Sequence, residues 1–268
     1  MVFLILILLV SFLYCFLFNL IGLSYWFNFL WAPLSLILAI ISFFIFVLLF
    51  LAINKKGKPT GKFRHKVLHQ ALQLILIIMN VRIQVEGKEN IPNETFVCYA
   101  NHKSNFDPIA IYYSLNKVCS AIGKKSLFEL PILRQCQDVF GCIPLDRDND
   151  REAAKSMVKA IKNVKAGLPY IIFPEGGIKD RTTEEMVNLR AGAYKLVTKT
   201  EALLLPCAIL GSAQTSKRKS IFKRINIKLI YHKPISSEEY MKLNTTEIGQ
   251  IVMEIINKDV LEYEAKKA

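Results

Sequence analysis

Charge is missing from the first fifth of this 268-residue chain: no acidic or basic side chain stands between Val2 and Asn54. So long an uncharged run excludes an ordinary pair of soluble core helices as the expected reading. A hydrocarbon core about 30 Å thick needs roughly 20 apolar helical residues to cross it, so the run suffices for two crossings. Asn19, Gly22, Asn28 and Pro33 gather near its middle with Tyr25, Trp26 and Trp31. Polar breakers among interfacial aromatics suit a turn at headgroup depth. The expectation is a membrane anchor over residues 1–54, a transmembrane helical hairpin with spans near 2–22 and 33–53. A basic leader and a small-residue cleavage site are also lacking, which argues against a removable signal peptide.

Acid is missing from the next stretch. Lys55, Lys56, Lys58, Lys62, Arg64 and Lys66 follow in quick succession, and the first carboxylate is Glu86. Short basic flanks stay on the cytoplasmic side, so the following domain is expected on the cytoplasmic face of the cell membrane. The stretch 55–80 is expected to form a basic collar with a helix over 63–79 at the bilayer surface. With that anchor in place, the net charge of +13 favours lipid phosphate over nucleic acid as a partner. A second basic run, Lys217 to Arg224, is read as either a solvated turn or a second membrane contact.

The six cysteines include no C-x-x-C pair and sit mostly in apolar runs, which excludes a disulfide or zinc framework. His65 and His69 share a helical face but have no third ligand nearby, so no metal site is expected. No repeat or low-complexity linker divides the remaining residues. Over 81–268, short β-rich runs alternate with helical patterns, the signature of one α/β domain. Strands are expected at Val81–Val85, Phe96–Ala100, Val118–Ile122, Val139–Pro144, Tyr170–Phe173, Leu203–Ile209 and Ile225–Tyr231. Helices are expected at 108–115, 127–137, 148–166, 189–200 and 245–264. The fold class is therefore a mixed sheet of about seven strands flanked by helices.

What is present, against this background, is a set of marked strand ends, where ligand sites of α/β sheets gather. The first is Asn101-His102-Lys103-Ser104-Asn105-Phe106-Asp107-Pro108. Five residues span about 140° of a helix, so His102 and Asp107 cannot share a helical face. They meet if His102 ends a strand, 103–106 turn, and Asp107 opens a helix with Pro108 at its first position. A carboxylate-oriented imidazole is a general base for a hydroxyl. The second is Phe173-Pro174-Glu175-Gly176-Gly177, whose glycines let backbone N–H groups approach an anion, with Lys179 and Arg181 close behind. The third is Gly141-Cys142-Ile143-Pro144-Leu145-Asp146-Arg147, whose arginine suits a phosphate, preceded by Lys125, Leu127 and Phe128. Each has a bland reading: a helix cap, a glycine turn, a surface arginine.

In order and together, these blocks resemble the lysophosphatidic acid acyltransferases (1-acyl-glycerol-3-phosphate O-acyltransferases) of the wider glycerolipid acyltransferase superfamily. The resemblance covers about residues 80–210. It includes Asn101, His102 and Asp107; Lys125, Leu127, Phe128, Gly141, Ile143, Pro144 and Arg147; and Phe173 to Gly176. It continues through Arg190, Gly192 and Ala193, and through Leu205, Pro206 and Cys207. It implies transfer of an acyl chain from acyl-CoA or acyl-ACP to the sn-2 hydroxyl of lysophosphatidic acid, giving phosphatidic acid for phospholipid synthesis. His102 and Asp107 would be the catalytic pair. Lys125, Arg147, Glu175, Gly176, Gly177 and Lys179 would hold substrate, and no metal or redox cofactor would be required. Where the family usually has threonine and arginine after Glu-Gly, this chain has Gly177 and Ile178. Another lysolipid or glycerol 3-phosphate is thus an alternative acceptor. Water, in a hydrolase, and a non-catalytic basic lipid-binding protein are the rivals of other classes.

Overall fold

The uncharged run folds into two helices, α1 (Val2–Leu20) and α2 (Asn28–Ile53). This computed structural model describes residues 2–21, 28–53, 61–115, 117–146, 149–178, 180–187, 189–220 and 222–267. The expected turn at Gly22, Tyr25 and Trp26 lies outside them. Pro33 falls inside α2 rather than before it. The two helices pack side by side: Phe3 meets Phe43 edge-on at 5.0 Å, and Tyr14 Oη lies 2.9 Å from Ser42 Oγ. Among the described residues, Leu30–Ile53 is long and apolar enough to cross a membrane, and only 28% of its most apolar window is buried inside the protein. The other apolar stretch, Ile5–Leu20, is shorter. Leu9, Phe12, Phe16, Ile37 and Leu49 are all exposed. A belt of this kind marks a partner or membrane surface rather than a solvated one.

Helix α3 (Lys62–Ile78) connects this hairpin to the domain. Its Val67, Ala71, Leu72, Leu74 and Leu76 are buried, whereas Phe63, Ile77 and Ile78 are exposed. Arg64, one of the collar cations, is also buried, and its guanidinium donates to Val139 O at 3.1 Å. It braces the domain instead of facing headgroups. The second basic run docks on the far end of α3: Arg218 donates to Met79 O, and Asn80 Nδ2 donates to Phe222 O.

Seven strands follow: β1 (Val81–Glu86), β2 (Phe96–Ala100), β3 (Ser120–Lys124), β4 (Ile143–Leu145), β5 (Tyr170–Ile172), β6 (Leu203–Leu210) and β7 (Ile225–Tyr231). They form one sheet in the order β1-β7-β6-β2-β5-β3-β4. Every pair is parallel except β6 with β7, so the sheet is mixed, as the alternation of elements implies. The helices are α4 (Asp107–Ser114), α5 (Pro131–Phe140), α6 (Asp150–Lys165), α7 (Lys195–Thr200), α8 (Ser237–Tyr240) and α9 (Thr245–Ala265). Strand β2 is buried on both faces. Val97 and Tyr99 join the core shared with α9 and with Val67, Ala71 and Leu74 of α3, while Phe96, Cys98 and Ala100 join the core under α4 and Leu76. This two-sided burial is what a central parallel strand requires.

Several boundaries differ from expectation: 3-10 turns at Lys125–Glu129 and Ala191–Tyr194 precede α5 and α7, which begin at Pro131 and Lys195 rather than near 127 and 189. Val139 and Phe140, expected in a strand, complete α5, and Gly141 with φ +72° ends that helix. The third strand pairs two residues later than expected, because Ser120 takes its register from Tyr170. Helix α6 is capped by Asn149, whose side chain accepts from Glu152 N, while Asp150 is its first residue and Asp148 lies outside the described residues. Helix α8, four residues behind its own capping box, was too short to show periodicity.

Candidate active site

The site is built at the C-terminal end of β2. Asn101 fastens that end to β6: its Oδ1 accepts from Ile209 N at 2.7 Å and its Nδ2 donates to Ile209 O at 2.8 Å. The same Nδ2 donates to Glu184 O. Beyond it the chain turns, and Asp107 opens α4 with Pro108 in the first turn.

The structure brings His102 and Asp107 together. Asp107 is fully buried, and one oxygen, Oδ2, accepts from Lys103 N and Ser104 N at 2.7 Å each and meets His102 Nδ1 at 2.9 Å. A carboxylate holding two backbone donors is an acceptor, so Nδ1 carries a proton, and in the neutral ring the lone pair is then on Nε2. Phe173 stacks on the imidazole at 4.2 Å and 23°. The His102 side chain is 16% exposed, against none for Asp107. The ring is thus fixed by a carboxylate on one edge and an aromatic on one face, with part of it open.

Beneath this pair lies a second one that sequence reasoning missed. Glu175 Oε2 bonds Lys103 Nζ at 3.0 Å, with the two side chains 1% and 0% exposed. Glu175 Oε1 accepts from His102 N at 2.8 Å. Both Glu175 oxygens therefore face protein donors, and the residue supports the backbone that carries the imidazole. The pair meets because β2 and β5 are parallel neighbours, which brings residues just past their ends side by side; the sequence alone carries no signal of that pairing.

Glu184 was missed as well. Its Oε1 accepts from Ala213 N at 3.1 Å, and its Oε2 has no partner among the described residues. Burial pushes its carboxyl up to about 7, and the charge of Asp107 adds to the rise. A raised carboxyl binds its proton more tightly folded than unfolded. Its stabilising contribution is complete below the ordinary value of 4.5 and is lost as pH climbs through about 7. Glu184→Gln is therefore expected to match wild type near pH 4 and to exceed it near pH 8, by on the order of 3 kcal/mol. Denaturant unfolding in detergent at the two pH values checks this, and an equal difference at both would refute it.

The remaining residues named from sequence divide. Gly176 and Gly177 both have positive φ, +73° and +139°. Gly176 N is engaged with Phe173 O, which leaves Gly177 N–H without an acceptor among the described residues. Lys125 is exposed and paired with Asp146 Oδ2 at 3.0 Å; that hydrogen bond and charge keep its ammonium pKa raised. Arg147 and Lys179 lie outside the described residues. His69, considered as a metal ligand and set aside, stacks on Tyr113 at 4.7 Å.

A carboxylate-held imidazole at a strand end of a largely parallel sheet is an arrangement suited to taking a proton from a hydroxyl or water. Comparison with known proteins narrows the class. The Acyltransferase family model matches residues 82–210. A 1-acyl-sn-glycerol-3-phosphate acyltransferase of Bacillus subtilis is 29% identical over 75% of this chain and 98% of its own. A chloroplastic 1-acyl-sn-glycerol-3-phosphate acyltransferase of Arabidopsis thaliana is 28% identical over 58% of this chain, which spans only 44% of that relative. The crystal structure of the 1-acyl-sn-glycerophosphate acyltransferase of Thermotoga maritima superposes with a TM-score of 0.65, over 75% of this chain and 80% of that one, at 23% identity; it shares the fold. Over residues 82–210 the chain is similar to the acyltransferases.

Proposed function

We propose that this protein transfers an acyl chain from an acyl thioester, acyl-CoA or acyl-ACP, to the sn-2 hydroxyl of 1-acyl-glycerol 3-phosphate, yielding phosphatidic acid. The observation that carries the reading is the 2.9 Å contact of His102 Nδ1 with a buried, backbone-held Asp107 oxygen. The activity for which the Bacillus subtilis relative is named supports the choice of substrate.

The chemistry follows from the geometry. Asp107 fixes the tautomer, and Nε2 takes the acceptor's hydroxyl proton as its oxygen attacks the thioester carbonyl. The C–O bond forms, the tetrahedral intermediate collapses, and the C–S bond breaks. The departing thiolate recovers the proton from the imidazolium. The Gly177 N–H would donate to developing negative charge. Transfer is direct, with no acyl-enzyme, and this route calls on no cofactor. The apolar hairpin and basic collar hold the site at the bilayer, where acceptor and product reside, with the domain on the cytoplasmic face. A different acceptor is the second reading, favoured by Gly177-Ile178 in place of threonine and arginine.

The test offers the purified full chain a labelled acyl thioester with lysophosphatidic acid, glycerol 3-phosphate, lysophosphatidylcholine or monoacylglycerol. Lysophosphatidic acid is expected to give the highest kcat/KM by at least tenfold. A zwitterionic lysolipid preferred over it would replace the first reading with the second.

A further inference from the structure

We propose that the loop from Lys217 to Arg224 is a second membrane contact, one that sets the rim of the active site on a bilayer surface carrying anionic phospholipid. The inference rests on the reading above only in taking the site to open toward lipid. No acidic residue stands between Glu201 and Glu238. Within that interval Lys217, Lys219, Lys223 and Arg224 are exposed, and none has a carboxylate partner among the described residues. Phe222 is 87% exposed in their midst. The loop is nonetheless tied down. Ser220 O accepts from Lys223 N at 3.2 Å and from Arg218 Nε at 2.6 Å, and Ser220 Oγ accepts from Phe222 N at 3.2 Å. Asn80 Nδ2 donates to Phe222 O at 2.9 Å. The phenyl ring thus stands out from a backbone that is bonded on both sides of it.

The loop lies between the catalytic base and the hairpin. On one side it leaves β6 through a 3-10 turn at Ser212–Thr215, and Thr215 Oγ1 hydrogen-bonds Ser104 Oγ in the turn that joins His102 to Asp107. On the other side Asn80 holds it to the end of α3, next to the exposed Ile77 and Ile78. With about 100° per helical residue, Phe63, Ile77 and Ile78 fall within about 100° of one another round α3, and Val67 and Leu74 share their stripe. Those two are buried in one cluster with Ile7, Phe43 and Val47 of the hairpin, and α1 packs on α3. The exposed ends of the stripe therefore flank the hairpin, on its side of the domain. Ile77 and Arg224 line one surface cavity, so the apolar stripe runs into the basic loop. Apolar and basic side chains side by side suit the headgroup region, with Phe222 at acyl depth and the ammonium groups at the phosphates. Each such cation strengthens attachment to an anionic surface on the order of fivefold. An acidic protein would answer the charges and leave the stripe on α3 bare; a bilayer covers both.

The experiment measures hydrogen exchange over residues 214–224 of the full chain in nanodiscs, made of phosphatidylcholine alone or mixed with phosphatidylglycerol. The segment is expected to exchange at least about fivefold more slowly in the anionic discs, with α9 unchanged as the control. A variant with Lys217→Ser, Lys219→Ser, Phe222→Ser and Lys223→Ser should lose that difference. Its KM for lysophosphatidic acid in anionic vesicles should rise by at least about fivefold. Its rate in detergent micelles should match wild type, which also shows that it is folded. Equal exchange in the two kinds of disc overturns the contact. So does protection that ignores lipid and appears only when acyl carrier protein is added, for the loop would then serve a protein partner. Exchange is read without turnover, so lipid-dependent protection in a protein that fails to acylate lysophosphatidic acid would contradict the proposed reaction and uphold the contact.

Discussion

His102→Ala is expected to lower turnover on the order of 10³-fold, the scale of a positioned general base, while the protein stays folded and in the membrane fraction. The imidazole is partly exposed, and the groups that fix Asp107 include two backbone donors that survive its loss. Removing it therefore takes away the proton acceptor without emptying a core. Asp107→Asn should lose activity on a comparable scale for a different reason. An amide nitrogen turned toward Nδ1 would present a donor to a donor and favour the wrong tautomer. Initial rates at saturating thioester, with sedimentation in liposomes as the control, give the result. Ordinary turnover by His102→Ala would remove the base from the mechanism.

The second large effect belongs to the pair below the base. Glu175→Ala leaves the Lys103 ammonium buried with no countercharge and takes the acceptor from His102 N. Breaking one side of a buried pair costs about 3–5 kcal/mol, a fall in Tm of about 6–20 °C for a domain of this size. Replacing both partners, Lys103→Met with Glu175→Leu, is expected to restore most of the stability, because no unpaired charge remains. Activity should not return with it, since the apolar pair cannot hold the amide of His102. A double variant both stable and fully active would show that the pair serves folding alone.

How far the sequence was legible depends on the range of the interaction. Helix α6 was clear because Ala154, Met157, Val158, Ile161 and Val164 recur at helical spacing, and Gly167 marks its end. Val139 and Phe140 were misplaced because a short apolar run reads the same in a buried helix end and in a buried strand. The approach of His102 to Asp107 is a local matter: strand end, turn and proline-marked helix start are all written within eight residues. Lys103 with Glu175 and Asn101 with Ile209 are not local. They follow from strand order, with β5 and β6 on either side of β2, and no single-sequence pattern encodes that order. Lys103 was the least legible of all, for a lysine between histidine and serine has the look of a solvated residue, yet it is fully buried. Composition marked the uncharged run that folds as α1 and α2, but it could not show that Arg64 turns inward.

The central claim is that His102 deprotonates a lipid hydroxyl so that it attacks an acyl thioester. The most direct measurement follows labelled acyl thioester with purified wild-type protein in vesicles, with and without lysophosphatidic acid, reading phosphatidic acid and free fatty acid together. The account predicts label in phosphatidic acid when the acceptor is present and almost no thioester loss when it is absent. Free fatty acid released at the same rate in both cases would contradict it, since the dyad would then be activating water.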